Sequence, residues 1–281
     1  MHKLWFATAL GAAALIGLGA SAKTVAHHVP AGPKAPTIKD CRDCPEMVVV
    51  PAGSFTMGSP ASEKYRGTEL QHTVTFAKPF AVSKFEITFA QWDACVAAGG
   101  CDHYKPHTTW GRANRPVVDV SWVHAKAYAA WLSKKTGHTY RLLSESEWEY
   151  AARGGAATPY AFGPTITSAQ VNFDASEKSD ANPKGIKRGR TTPVGSFAPN
   201  AFGLYDMHGN AWEWVEDCWT DEYGPASPAD GSAVAKGDCG GHVLRGGSWE
   251  DYAGDVRAAA RVASETEDHT WSDGIRIARE L

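Results

Sequence analysis

Short apolar runs broken by Gly and Pro, three helices with clear start and stop signals, and one long aperiodic stretch predict an α+β fold for this 281-residue chain, with short strands, few helices and much loop. With 43% hydrophobic and 21% charged residues and 11 Trp, the composition excludes intrinsic disorder and long coiled coils and calls for a dense aromatic core. Lys and Arg total 28 against 31 Asp and Glu. The resulting net charge of -3 supplies no positive field for nucleic acid or an anionic membrane.

The elements follow in order. Residues 47–57, MVVVPAGSFTM, are a β-branched run interrupted by Pro51-Ala52-Gly53 and read as strand, turn, strand. Residues 72–76 and 80–87 read as further strands. Thr88 and Gln91 have capping-box spacing and open a helix to about Ala98. Ser121 caps a second helix, which runs to Thr136 and stops at Gly137, with Lys134 and Lys135 favouring its C-terminal dipole. Ser144 and Glu147 form another capping box, and Gly154 ends that helix after Arg153. Residues 155–200 show almost no periodicity yet carry Tyr160, Phe162, Phe173 and Phe197, so they read as a functional or cross-braced loop. Strands are expected again over 212–219, 242–249, 256–262 and 274–278. No internal repeat is evident.

Residues 1–22 combine the basic Lys3, an apolar stretch from Leu4 to Leu18 and the small-x-small ending Ala20-Ser21-Ala22. This is the pattern of a secretory signal peptide cleaved before Lys23, and it is preferred over an uncleaved anchor because the apolar run is short. The mature protein is then expected to be periplasmic or secreted, with no membrane span. Residues 23–40, rich in Pro, Ala, Lys and His, read as a flexible linker, and 41–281 as the folded domain.

Six cysteines in an exported chain default to disulfides. Proximity suggests Cys95 with Cys101 around Gly99-Gly100, and Cys218 with Cys239 around a Gly/Pro/Asp-rich loop. Cys41 and Cys44 are open to a local disulfide, a redox pair or half of a metal site, with the disulfide preferred.

No GxSxG elbow, phosphate loop, HExxH or strand-linked GxGxxG is present. His103 and His107 are spaced four apart, but Pro106 opposes a shared helix face, and His27 and His28 fall in the linker. The segment Asp206-Met207-His208-Gly209-Asn210-Ala211-Trp212-Glu213 admits two readings. Its carboxylates and turn carbonyls suit calcium, or it is a tight turn with a solvated Asp.

Four blocks carry a family resemblance: 47–58 (MVVVPAGSFTMG), 141–154 (RLLSESEWEYAARG), 200–214 (NAFGLYDMHGNAWEW) and 243–249 (VLRGGSW). In collinear order they resemble the sulfatase-modifying-factor family, whose best-known member is the formylglycine-generating enzyme. The resemblance implies an irregular, loop-rich fold related to C-type lectins and commonly bound to calcium. Carried over by position, the calcium ligands fall on Asp206, the carbonyls of Gly209 and Ala211, and Glu213. A second family calcium site matches Asn172 and Phe173, but 186–188 (IKR) offers it no acid.

The family's oxidase holds copper(I) with two cysteines shortly after the Gly-Gly-Ser motif, as a soft ion requires. Here Asp251 stands at the first position and about Val256 at the second, so copper chemistry is not expected. Trp212 and Ser248 still match pocket-lining residues, and Glu250 and Asp251 complete a candidate pocket as general bases or hard-metal ligands. Arg245, Arg257 and Arg261 read either as substrate clamps or as partners of buried carboxylates. Two function classes result. One is an enzyme modifying an exported peptide, protein or small molecule, as cysteine-lacking relatives do in siderophore maturation. The other is a lectin-like, non-catalytic module that binds a protein or glycan.

Overall fold

The computed structural model describes residues 35–281 except 103, 107, 222–226 and 236–238. The expectations for the signal peptide, the Lys23 cleavage point and His27, His28, His103 and His107 lie outside the described residues.

All three helices start where a side chain takes the first free amides. Thr88 caps α1 (Phe89–Ala97), Ser121 caps α2 (Trp122–Thr136) and Ser144 caps α3 (Glu145–Arg153), each in a reciprocal capping box. In α2 the returning partner is the His124 ring nitrogen, which accepts from the Ser121 amide at 3.2 Å. Gly137 and Gly154 end α2 and α3 in the left-handed conformation at φ 75° and 55°.

Among the described residues the strands form three sheets. The largest has the order β1 (Thr37–Ile38), β2 (Met47–Val50), β5 (Phe80–Ser83), β11 (Ile277–Arg279), β6 (Tyr140–Leu142). The second has the order β10 (Asp273–Ile275), β7 (Trp212–Cys218), β8 (Gly241–Arg245), β9 (Arg261–Glu265), and the third is a separate ribbon of β3 (Gly53–Met57) with β4 (His72–Phe76). The β10–β7 pair is parallel and sets Asp273 beside Trp212.

Several boundaries differ from the sequence reading. The linker assigned to 23–40 contains β1, and Asp40 accepts from Arg279 at 2.7 Å and from Tyr140 at 2.5 Å, so the fold is already engaged there. The expected strand at 256–262 is a turn up to Ala260, because Val256 is drawn inward as core and β9 starts only at Arg261. Strand 242–249 ends at Arg245, where Gly246 and Gly247 turn the chain at φ 96° and 71°. A Cβ on Gly247 would stand 2.5 Å from Val256 Cγ1 and 2.9 Å from the Asp255 carbonyl, so only glycine fits the approach. Residues 80–87 are strand only to Ser83. The last expected strand, 274–278, is two strands in different sheets with Arg276 between them.

One core cluster packs Trp92, Tyr128, Leu132 and Trp214 between α1, α2 and β7. Another packs Val48, Val82, Trp148 and Val215 under α3. A third, with Tyr160, Ile166, Phe173 and Val256, holds down the long loop that shows no periodicity. The cysteines pair as 41–44, 95–101 and 218–239.

Ion pairs inside the molecule decide the arginine question in favour of structure. Arg245 donates to Glu149 at 2.6 Å, Arg261 to Glu145 at 2.8 Å, and Arg257 to Glu63 and Glu69 at 2.6 and 2.9 Å. Glu149 also accepts from Arg153 and from the Gly58 amide, both at 2.9 Å, with its side chain fully buried. Removing one partner strands the remaining charges in a low dielectric. Glu149→Ala is therefore expected to cost about 3–5 kcal/mol, read as a lower urea midpoint at unchanged m-value.

Candidate functional site

The two expected calcium carboxylates meet in one place, with a third that the sequence reading missed. Glu213, on β7, accepts from Arg276 Nε at 2.9 Å at both oxygens and from the Trp148 indole at 2.6 Å. Asp206, at φ 56°, accepts from the Gly195 amide at 2.7 Å. Glu86 lies just beyond β5 and accepts from Asn210 Nδ2 at 3.0 and 3.1 Å. Burial, and then the charges of Asp206 and Glu213, push the Glu86 carboxyl well above the ordinary range. Burial likewise raises Asp206 to about 6, against the Gly195 amide and Arg276, which lower it.

Three carboxylates thus face one guanidinium. Hard oxygen donors are the ligand type that calcium takes, so the donor type matches the group that the resemblance implies, with both Glu213 oxygens already held by Arg276. The set rests on two carboxylates and two backbone carbonyls. Among the described residues no three His, Cys, Asp or Glu side chains gather as a metal cage.

The Gly209-Asn210 turn is fixed by close contact with Asn172. Gly209 adopts φ 73°, and a Cβ there would lie 2.3 Å from the Asn172 carbonyl. Asn172 Nδ2 donates to Asn210 Oδ1 and to the Arg190 carbonyl, both at 3.0 Å, while its own Oδ1 is buried without a hydrogen-bond partner. At the expected second calcium position, Lys187 instead pairs with Asp174 at 2.6 Å and Arg188 donates to the Ser168 carbonyl at 2.6 Å.

The candidate pocket residues also come together, but through a loop that the sequence reading did not include. The Trp212 amide donates to the Ser272 carbonyl at 2.8 Å, which brings residues 270–273 against β7. Ser248 is fully buried, and its amide and hydroxyl donate to Asp251 Oδ2 at 2.8 and 2.5 Å. Glu250 accepts from the Trp271 indole at 3.1 Å. Burial is the largest cause of the raised Asp251 carboxyl, which Ser248 lowers and Asp255 and Glu250 raise. Asp273, buried near Glu250 and Asp251, is pushed up to about 6, first by desolvation.

A carboxyl poised there can accept and return a proton near neutral pH. Val256, at the other expected cysteine position, is fully buried, and its carbonyl accepts from the His208 ring at 2.8 Å. Burial lowers that imidazole to about 4, so it stays neutral while its other nitrogen accepts from the Ala161 amide at 3.1 Å. Trp271 and Asp273 were missed as site residues because their only sequence signal, Trp-Ser-Asp-Gly near the end of the chain, does not reveal that β10 pairs with β7.

This irregular α+β architecture, with its Gly-Gly-Ser turn beside the Trp212 strand, defines a sulfatase-modifying-factor type of domain. A profile described as "Sulfatase-modifying factor enzyme 1-like domain" matches residues 34–281, and the chain belongs to that family. The formylglycine-generating enzyme of Streptomyces coelicolor is 37% identical over 287 residues, spanning 83% of this chain and 89% of that relative. The solved structure of PvdO from Pseudomonas aeruginosa aligns at a TM-score of 0.78 and 42% identity, covering 89% of this chain and 100% of that one. Treponema denticola variable protein 1 shares the fold at a TM-score of 0.69 and 22% identity.

The raised Asp273 carboxyl has a definite sign in stability. A carboxyl with a higher pKa folded than unfolded contributes stability that is complete below about 4 and is lost as pH rises through about 6. Asp273→Asn, which does not titrate, is expected to gain on the wild type between pH 4.5 and 7.5. Urea unfolding at both pH values checks this, and a difference that shrinks or stays constant contradicts it.

Proposed function

We propose that this chain is an exported family member that modifies an exported peptide, protein or small molecule, in the manner of siderophore maturation, without copper–thiolate chemistry. The observation that carries the reading is Asp251 at the first copper-ligand position, hydrogen-bonded to Ser248 in a group of carboxylates. All six cysteines are in disulfides, which leaves no thiolate for a soft ion. The donor set therefore does not suit copper(I). Its residues can orient a substrate and move a proton at the carboxylates of Asp251, Glu250 or Asp273. Exposed aromatic side chains beside these acids favour the second reading, a lectin-like module that binds without turnover.

Incubating copper-loaded protein with a cysteine-containing sulfatase peptide and reductant is expected to give no formylglycine by mass spectrometry. Aldehyde that disappears in Cys218→Ser would assign a catalytic role to a cysteine now read as structural.

Calcium is the cofactor proposed at Asp206, Gly209, Ala211 and Glu213, as a structural ion that would balance the excess acids. Binding to the folded state alone stabilises it by mass action. Chelation is therefore expected to lower Tm, and Asp206→Ala to remove the calcium response. Asp206 is the cleaner test, because changing Glu213 also strands Arg276. An identical melting curve after verified metal removal would refute the site.

A further inference from the structure

The α2 helix begins on a cap that only an uncharged imidazole can complete. The Ser121 amide donates to His124 Nδ1 at 3.2 Å, and Ser121 Oγ accepts from the His124 amide at 3.4 Å. A backbone N–H can only donate, so Nδ1 is bare and the neutral ring carries its proton on Nε2. Glutamine in this place would accept at every pH, whereas histidine accepts only while neutral. The ring is also clamped, stacked on Tyr104 at 3.9 Å between centroids and 12° between planes, with Trp92 edge-on at 6.3 Å. A proton on Nδ1 therefore sets donor against donor.

Among the described residues, the charged and titratable groups that face this ring are Asp102, Tyr104 and Asp119 between α1 and α2, and Glu267 and His269 beyond β9. The His269 ring lies 6.2 Å from it, and His269 Nδ1 meets Asp119 Oδ1 at 2.7 Å. Burial, and then His269, hold the His124 imidazole below its ordinary range, against Glu267, Asp102 and Asp119, which raise it.

The cap is continuous with the loop that borders the candidate pocket. Asp119, two residues before Ser121, sits at the left-handed φ of 64°, which a residue other than glycine keeps only while its surroundings hold it. Its amide donates to the Thr270 carbonyl at 2.8 Å, and its carbonyl accepts from the Tyr104 hydroxyl at 3.0 Å. The Val120 amide donates to the Asp273 carbonyl at 3.4 Å, and on the other side of the loop the Trp212 amide holds the Ser272 carbonyl. Residues 270–273 are thus fastened directly to the start of α2.

We propose that His124 and His269 form an acid-sensitive latch, in which uncharged His124 caps α2 and keeps residues 119–120 against 270–273, and acidification protonates Nδ1, opens the cap and loosens the loop that carries Trp271 and Asp273. A histidine held below its unfolded value contributes stability that is complete above about 6.5 and is lost as pH falls. Asp273 acts in the opposite sense, so the comparison is between proteins that all retain it.

Nitrogen NMR of the histidine rings at pH 7.5 should show His124 with Nδ1 bare and Nε2 protonated. Between pH 7.5 and 5, hydrogen-exchange protection of the Ser121 and Asp119 amides, corrected for intrinsic exchange, should fall about fivefold, the size of effect that losing a helix cap has. His124→Gln keeps the acceptor without the titration and should abolish that fall. His269→Gln leaves the cap in place and should raise the pH at which His124 titrates. The wild-type titration and His269→Gln decide the matter even where His124→Gln does not fold. A protonated Nδ1 at pH 7.5, equal protection at both pH values, an equal fall in His124→Gln, or an unchanged His124 titration in His269→Gln would overturn the latch.

Discussion

The buried contact between Arg276 and Glu213 joins the two larger sheets, and most of the site hangs from it. Arg276 is the single residue between β10 and β11, so the chain leaves one sheet and enters the other at a fully buried guanidinium. It donates to Glu213 on β7, to the Ser83 carbonyl at the end of β5 and to the Tyr205 carbonyl in the loop before the Asp206 turn. The Trp148 indole brings α3 onto the same carboxylate. A buried ion pair recovers its desolvation cost only when further hydrogen bonds complete both partners, and here every partner belongs to a different element. The pair therefore specifies register among those elements more than it adds net stability.

The position of Asp273 follows from that constraint. With Arg276 pinned, β10 runs parallel to β7 and the preceding loop lies beside the Ser248 turn. Residues distant in sequence thereby meet: Trp212, Ser248 to Asp251, and Trp271 to Asp273. The long aperiodic loop is fixed separately, by the Asn172–Asn210–Glu86 chain of hydrogen bonds and by neutral His208 joining Ala161 to Val256. Such polar networks substitute for regular ladders where backbone groups would otherwise be buried unpaired.

The proposed departure from copper-oxidase chemistry rests on ligand softness. Replacing a thiolate by Asp251 exchanges a polarisable sulfur for a hard oxygen and retains a negative charge at the same turn. The same change places carboxylate beside carboxylate, which raises proton affinity.

Local chemistry was sufficient to determine the elements whose signals are local. Thr88, Ser121 and Ser144 mark three helix starts, because capping needs only residues three apart, and the three disulfide pairs follow chain proximity. The motif blocks also carried the family, since they are short and contiguous. What the linear order could not determine was partnership at long range. Arg245, Arg257 and Arg261 had carboxylate partners that only packing could reveal, and Glu86 joined Asp206 and Glu213 across more than a hundred residues. Strand 274–278 looked continuous because its apolar pattern does not register a change of sheet at Arg276. Burial, charge pairing and sheet order are properties of the folded surroundings, so the tertiary structure alone decided which carboxylates share a site.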